Sequence, residues 1–142
     1  MNKIWSPSTV PAPAANYHQC ALIPAGSMRL HIAGQLGIDN EGMVAESAEE
    51  QIVLAWTNLR GVLQANQMDV EDLISVRLYL VDRNDMSDYQ AAKQRLPFDV
   101  GGLPTTLLFV QGLFDERWKV EIEAEAAKLI LSLIHISEPT RR

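Results

Sequence analysis

The stretch from Trp118 to Ala126 reads W-K-V-E-I-E-A-E-A, in which apolar residues alternate with glutamates. This period-two alternation predicts a half-buried β-strand, with one face on a core and the other toward solvent or a cleft. Glu121, Glu123 and Glu125 then share one face at intervals of about 6–7 Å. Three neighbouring carboxylates repel one another, so this face is either well hydrated or part of a site.

The bulk composition predicts one globular domain that buries an ordinary core. The chain has 142 residues, of which 47% are hydrophobic and 21% are charged. No apolar run reaches about 18 residues, so neither a membrane span nor a signal peptide is indicated. Cys20 is the only cysteine, which excludes an internal disulfide and a multi-cysteine metal site and favours a reduced, cytoplasmic setting. The net charge of −6 makes nucleic acid an unlikely partner.

The other segments predict the element order β-β-α-β-α-β-β. Residues 1–16 contain three prolines and predict an extended arm without regular structure. Strands are expected at 21–23, at 28–33 as the hairpin partner of that strand, at 73–81, at 106–111 and in the opening stretch. Helices are expected at 48–66, behind a capping box formed by Ser47 and Glu50, and at 87–96. This order predicts an α+β fold in which two helices cover one mixed sheet, and the half-apolar opposite face predicts a homo-oligomer.

Several short sequence motifs over residues 12–128 resemble motifs of the Rid family, also called the RidA, YjgF or L-PSP family, in the same order and with similar spacing. The phrase A-N-Y-H-Q at 15–19 is similar to the family's Gly-Pro-Tyr-Ser-Gln segment, and A-G-Q-L-G at 33–37 is similar to its Ser-Gly-Gln-x-Gly strand end. The helix matches through Glu50-Gln51, Asn58-Leu59 and Val62-Leu63, and the final strand through V-E-I-E-A at 120–124.

The resemblance implies a chorismate-mutase-like α+β fold and a homotrimer with a central β-barrel. Ligand sites would lie in clefts between subunits. Well-characterised members hydrolyse reactive imines and enamines derived from amino acids, releasing ammonia and a 2-keto acid, without a metal or organic cofactor. Other members are linked to ribonuclease activity or to small-acid binding. The resemblance implies a single domain over 1–128, and 129–142 look like vector-encoded read-through; the alternative is a real strand at 129–136.

The resemblance assigns roles to individual positions. Glu121 would be the catalytic acid/base, with Tyr17, Ala33, Gly34 and Gln35 shaping the substrate site. The deaminating members hold the substrate carboxylate with an arginine, whose position falls on Thr105 or Thr106 here, and a hydroxyl does not replace a guanidinium. An asparagine of the second helix falls near Lys93. The usual 2-imino acid deaminase activity is therefore doubtful, although the acid/base is present.

Some residues allow two interpretations. Arg77 and Arg29 either replace the missing cation or pair with a neighbouring glutamate. Glu121 is either the acid/base or an exposed strand glutamate, while Glu123 and Glu125 are interpreted as structural or solvated charges. Tyr17 either contacts a ligand or only packs.

Two further residue types are predicted to be structural. His18 and Cys20 are two soft ligands without a third, so no zinc site is predicted, and Cys20 is expected to be a small buried residue. Trp56 lies at helical spacing among apolar residues and is expected in the core.

Three functions remain open. The first is a trimer that binds or hydrolyses a small imine, enamine or carbonyl metabolite. The second is a noncatalytic small-molecule-binding or regulatory trimer, which the missing arginine supports. The third is a ribonuclease, which the acidic charge disfavours.

Overall fold

The computed structural model describes residues 1–129. The elements follow in the order β1 (Lys3–Trp5), β2 (Cys20–Leu22), β3 (Met28–Leu36), α1 (Ala48–Ala65), β4 (Leu73–Leu80), α2 (Met86–Arg95), β5 (Thr105–Phe109) and β6 (Val120–Lys128). The α+β fold with two helices on one mixed sheet is confirmed, and β1 is an additional strand. Predictions for residues 130–142 lie outside the described residues.

The main sheet has four strands in the order β3-β6-β4-β5. The glutamate strand β6 is antiparallel to β3 on one side and to β4 on the other, while β4 and β5 are parallel. A parallel pair needs a long crossover connection, and α2 lies within the one between β4 and β5. The opening stretch therefore lies inside the sheet, and β3 and β5 form its two outer edges.

The predicted hairpin between the first two strands is wrong. β2 pairs instead with β1, through Lys3 opposite Leu22 and Trp5 opposite Cys20, in a separate two-stranded sheet. The prolines of the arm begin only at Pro7, so the first residues keep the amide donors that a strand needs. β3 pairs along nearly its whole length with the nine-residue β6, a longer partner than the three-residue β2.

The buried environment predicted for Cys20 is also wrong. Its side chain is half-buried, and Sγ donates a hydrogen bond to the Trp5 carbonyl oxygen over 3.3 Å. The nearby His18 ring pairs through Nδ1 with the Ser6 hydroxyl at 3.0 Å. Within residues 1–129, no group of three potential metal-ligating His, Cys, Asp or Glu side chains occurs.

The α1 helix begins at a serine cap, as predicted. The Ser47 hydroxyl accepts a hydrogen bond from the Glu50 amide over 3.0 Å. The Glu50 carboxylate does not complete the capping box, because it accepts from Arg95 of α2 over 2.9 Å. The inner face of α1 includes Trp56, which is 1% exposed and confirms its predicted place in the core.

The core lies between the helices and one face of the sheet. The apolar side chains of the two central strands are fully buried there, including Val76, Leu78, Leu80, Val120 and Ile122. Because strand side chains alternate, the polar partners of these residues lie on the face that no described helix covers. Within residues 1–129, no helix is long and apolar enough to cross a membrane.

Candidate functional site

The uncovered sheet face carries the three glutamates of β6, each half-buried. Their apolar neighbours on the opposite face, such as Ile122 and Ala124, are 0% exposed. Strand pairing places Glu121 opposite Tyr79 of β4, and it places Glu123 opposite Arg77. The glutamates therefore lie within one row of polar side chains, yet their surroundings differ.

Glu121 lies against the backbone of Gly34. The pairing of β3 with β6 is interrupted by a bulge between Ile32 and Gln35, which contains Gly34. A Cβ atom at Gly34 would overlap the Glu121 carboxylate, so the glycine leaves the space that the carboxylate occupies. The Gln35 side chain donates to the Ala33 carbonyl oxygen over 2.9 Å and is held on its own strand. The structure thus brings together the predicted residues Gly34 and Glu121.

The Glu121 carboxylate is the unpaired member of the row. Burial raises its pKa above the ordinary glutamate value, and the neighbouring Glu123 charge adds to the rise. No hydrogen-bond donor or cationic partner for it is found within the described part of the chain. A carboxyl group with a raised pKa and free oxygens can exchange a proton with a bound water or ligand.

Glu123, by contrast, is held in a hydrogen-bonded network. Its Oε1 accepts from the Tyr79 hydroxyl over 2.5 Å and from Arg77 Nε over 2.9 Å. These two bonds, the tyrosine first, hold the Glu123 pKa below its ordinary value. Arg29 pairs with Glu125 over 3.4 Å. Of the two interpretations of Arg77 and Arg29, pairing with neighbouring glutamates is the one that this geometry supports.

Tyr17, Thr105 and Thr106 form a second group, at the β5 edge of the sheet. All three line a cavity of about 310 Å³ beneath the β2 segment and another of about 550 Å³ between β5 and α2. The Tyr17 hydroxyl accepts from the Ala14 amide over 3.3 Å. Thr106 pairs opposite Arg77 and so shares the glutamate face, whereas the Thr105 hydroxyl donates to the Leu103 carbonyl oxygen over 3.0 Å.

The two groups do not meet within one chain. Gly34 lies on β3 and Thr106 on β5, the two outer strands, with β6 and β4 between them. Neighbouring strands are about 4.8 Å apart, so the outer strands lie roughly 14 Å apart. Neither cavity that Tyr17 lines includes Glu121. One chain therefore carries the predicted site residues as two separate halves.

The cavity between β5 and α2 also includes residues to which the sequence analysis gave no role, although the resemblance placed a family asparagine near one of them, Lys93. Met86, Tyr89, Gln90 and Lys93 line it from one face of α2. Their spacing of three, four and seven residues is the signal that could have found them, because such positions share a helix face. Lys93 is the cation of this set.

The chain is similar to a known family and to a known protein over most of its length. Residues 8–128 match the family described as endoribonuclease L-PSP. A RutC family protein of Pyrococcus horikoshii is 29% identical over 139 residues, which cover 90% of this chain and 99% of that protein.

Three solved structures share this fold at lower sequence identity. The Rid protein YyfB of Yersinia pestis superposes with a TM-score of 0.73 at 22% identity, covering 89% of this chain and 98% of that one. E. coli TdcF, solved with bound serine, gives 0.61 at 21% identity, with coverages of 89% and 98%. The RidA protein of an Antarctic Psychrobacter gives 0.64 at 20% identity, with coverages of 89% and 99%. These likenesses confirm the chorismate-mutase-like fold expected from the sequence, and the family match shows that the chain belongs to the Rid, or endoribonuclease L-PSP, family.

Proposed function

We propose that this protein hydrolyses a small imine or enamine derived from an amino acid, releasing ammonia and a 2-keto acid. The observation that carries the proposal is the half-buried Glu121 carboxylate, which has a raised pKa and no partner within residues 1–129. Water adds to the carbon of the C=N bond as the nitrogen takes up one proton. The C–N bond then breaks as the new hydroxyl group loses its proton to form the C=O bond and the nitrogen takes up a second proton to leave as ammonia. Glu121 takes a proton from the attacking water and returns one to the leaving nitrogen.

The complete site would form between copies of the chain. The Glu121–Gly34 half and the Tyr17–Thr106 half lie at different parts of the sheet, so a neighbouring copy would bring its second half to the first. The uncovered sheet face and the exposed side chains of Leu108 (48%) and Phe114 (96%) support such an assembly. A homotrimer with a central β-barrel would bury this face and repeat the cleft three times. Light scattering of the purified protein should then give three times the chain mass of 15.8 kDa.

A ligand with amino and carboxylate groups fits this proposal. TdcF, a structural relative, was solved with bound serine, a molecule of that class. A reducing cytoplasmic setting suits the single half-buried cysteine.

A second candidate function is noncatalytic binding of a small metabolite, in a sensing or regulatory trimer. It is favoured by the threonines at 105 and 106, where an arginine was expected, and by the pairing of Arg77 and Arg29 with glutamates. In that case keto acids would raise the melting temperature of the protein, while imines would be hydrolysed no faster than in buffer.

Ammonia release from 2-iminobutyrate distinguishes the two functions. The wild-type protein should exceed the uncatalysed rate, and Glu121→Ala should lose about 10²- to 10⁴-fold of the catalysed rate. Glu125→Gln is the matched control, because it removes a charge from the same strand face at a residue already paired with Arg29. Equal rates of ammonia release with wild type, with Glu121→Ala and in buffer alone would exclude the proposed hydrolysis.

A further inference from the structure

The cavity of about 550 Å³ between α2 and β5 has a polar end and an apolar end. Arg83, which precedes α2, lies 4.6 Å from the centre of the Phe109 ring, so the beginning of α2 adjoins the end of β5. Lys93, near the end of α2, therefore lies toward Thr105 at the beginning of β5. Met86 and Lys93 are seven residues apart, or roughly 10 Å along the helix.

The lining of each end follows from this orientation. Met86, Leu107 and Phe109 provide apolar surface toward one end, and Lys93 with Thr105 and Tyr17 provides a cation and hydroxyls toward the other. A cavity with this division suits a ligand that has an anionic head and a short apolar tail.

Lys93 has no carboxylate partner among the described residues, although it is half-buried. Its ammonium lies 4.8 Å from the centre of the Tyr89 ring. Burial raises the pKa of Tyr89, which keeps that side chain a neutral phenol. The residues three and four positions before Lys93 are Gln90 and Tyr89, so its own helix face supplies no acid.

The arginines of the described chain differ from Lys93 in this respect. All but one of them pair with an aspartate or glutamate: Arg29, Arg60, Arg77, Arg95 and Arg117. The exception, Arg83, is exposed and does not line the cavity. Lys93 is thus the cation that the cavity offers to an external anion.

We propose that Lys93 binds the carboxylate of a small organic acid whose aliphatic or aromatic tail lies toward Met86 and Phe109. The anchor comes from α2 instead of from β5, where the family's arginine would lie. Tyr17 lines the same cavity, and its hydroxyl, which accepts from the Ala14 amide, keeps its own proton to donate to the head group. This inference deepens the proposed function, since it names the ligand class that the same cleft would take.

Calorimetric titration with 4-methyl-2-oxopentanoate tests the inference. Lys93→Gln should weaken binding by about 10- to 100-fold, the range expected when a hydrogen bond to a charged group is lost. Lys93→Arg should keep binding within about threefold, because it keeps the charge. Lys3→Gln is the matched control: Lys3 also lies over an aromatic ring, 4.2 Å from the centre of Trp5, and lines no part of this cavity.

Two related ligands test the two ends of the cavity. The methyl ester of the same keto acid, which has no anionic head, should bind at least about 10-fold more weakly. Pyruvate, which lacks the branched tail, should also bind at least about 10-fold more weakly, given about 0.8 kcal/mol for each buried CH₂ group.

Equal affinity of Lys93→Gln and wild type would overturn the inference, as would equal affinity for acid and ester. Wild-type binding weaker than about 10 mM would also overturn it. Failure here is distinguishable from failure of the proposed hydrolysis, because Glu121→Gln should still bind the keto acid. If the protein hydrolyses imines but Lys93→Gln binds the keto acid as tightly as wild type, only the proposed role of Lys93 is rejected. If binding depends on Lys93 but no imine is hydrolysed, only the proposed hydrolysis is rejected.

Discussion

Replacing Gly34 by alanine separates the role of Glu121 from the stability of the fold. The new Cβ would overlap the end of the Glu121 side chain, a flexible group that can rotate away. Gly34 is not among the residues with positive φ, so alanine adopts its backbone conformation without strain. The carboxylate must leave its position, whereas the sheet is not required to move.

The expected magnitudes follow from these two facts. A glycine-to-alanine change at a compatible site stabilises by about 0.4–1 kcal/mol through the unfolded chain, and a displaced glutamate rotamer costs about 0.5–1.5 kcal/mol. The free energy of unfolding should therefore change by less than about 1 kcal/mol. Imine hydrolysis should fall by about 100-fold, the effect of moving a catalytic group by about 1 Å.

Gly37→Ala is the matched comparison. A Cβ atom there would overlap the Gln51 backbone of α1, which cannot rotate away as a side chain can. That variant should lose about 1–3 kcal/mol of stability. Urea unfolding and ammonia release, measured on both variants, check the two expectations. A Gly34→Ala protein with wild-type activity, or one less stable than Gly37→Ala, would refute the account of the Glu121 position.

Two further predictions concern the protonation of the glutamates. Because the folded-state pKa of Glu121 is raised, its ionisation costs stability above that pKa, so Glu121→Gln should raise the urea midpoint at pH 7. The lowered pKa of Glu123 has the opposite effect on stability. The stabilisation from ionised Glu123 is present above the unfolded-state pKa and is lost as pH falls through the folded-state pKa, so Glu123→Gln should lower the free energy of unfolding at pH 7 by about 1 kcal/mol. A lower urea midpoint for Glu121→Gln than for Glu123→Gln would contradict both assignments. The kcat/KM for imine hydrolysis should decline on the acid side with an apparent pKa above the ordinary glutamate value of about 4.3. An unchanged acid limb in Glu121→Gln would exclude Glu121 as its source.

Local periodicity was sufficient to predict the helices and the main strands. The alternation around Glu121 fixes which side chains are buried, and the apolar spacing around Trp56 fixes the inner face of α1. It does not decide which strands pair, because pairing depends on competition between distant segments. The strand beginning at Met28 therefore paired with β6 instead of with the short strand that ends at Leu22.

The candidate site could be predicted only in part for the same reason. The glutamate row was evident from the sequence, but the difference between paired Glu123 and unpaired Glu121 depends on the side chains of β4 that lie opposite. Lys93 could be placed on a helix face from its spacing. That this face adjoins β5 across a cavity follows only from the path of the chain in three dimensions.

The central claim is that Glu121 of one copy and Tyr17 of a neighbouring copy act in one cleft. Its most direct test is ammonia release from 2-iminobutyrate by co-expressed Glu121→Gln and Tyr17→Ala chains, each of which should lose most of its activity when expressed alone. Random assembly gives each cleft about a one-in-four chance of combining both intact residues. The mixture should therefore have about a quarter of the wild-type activity. Activity no higher than that of the separate variants would contradict it.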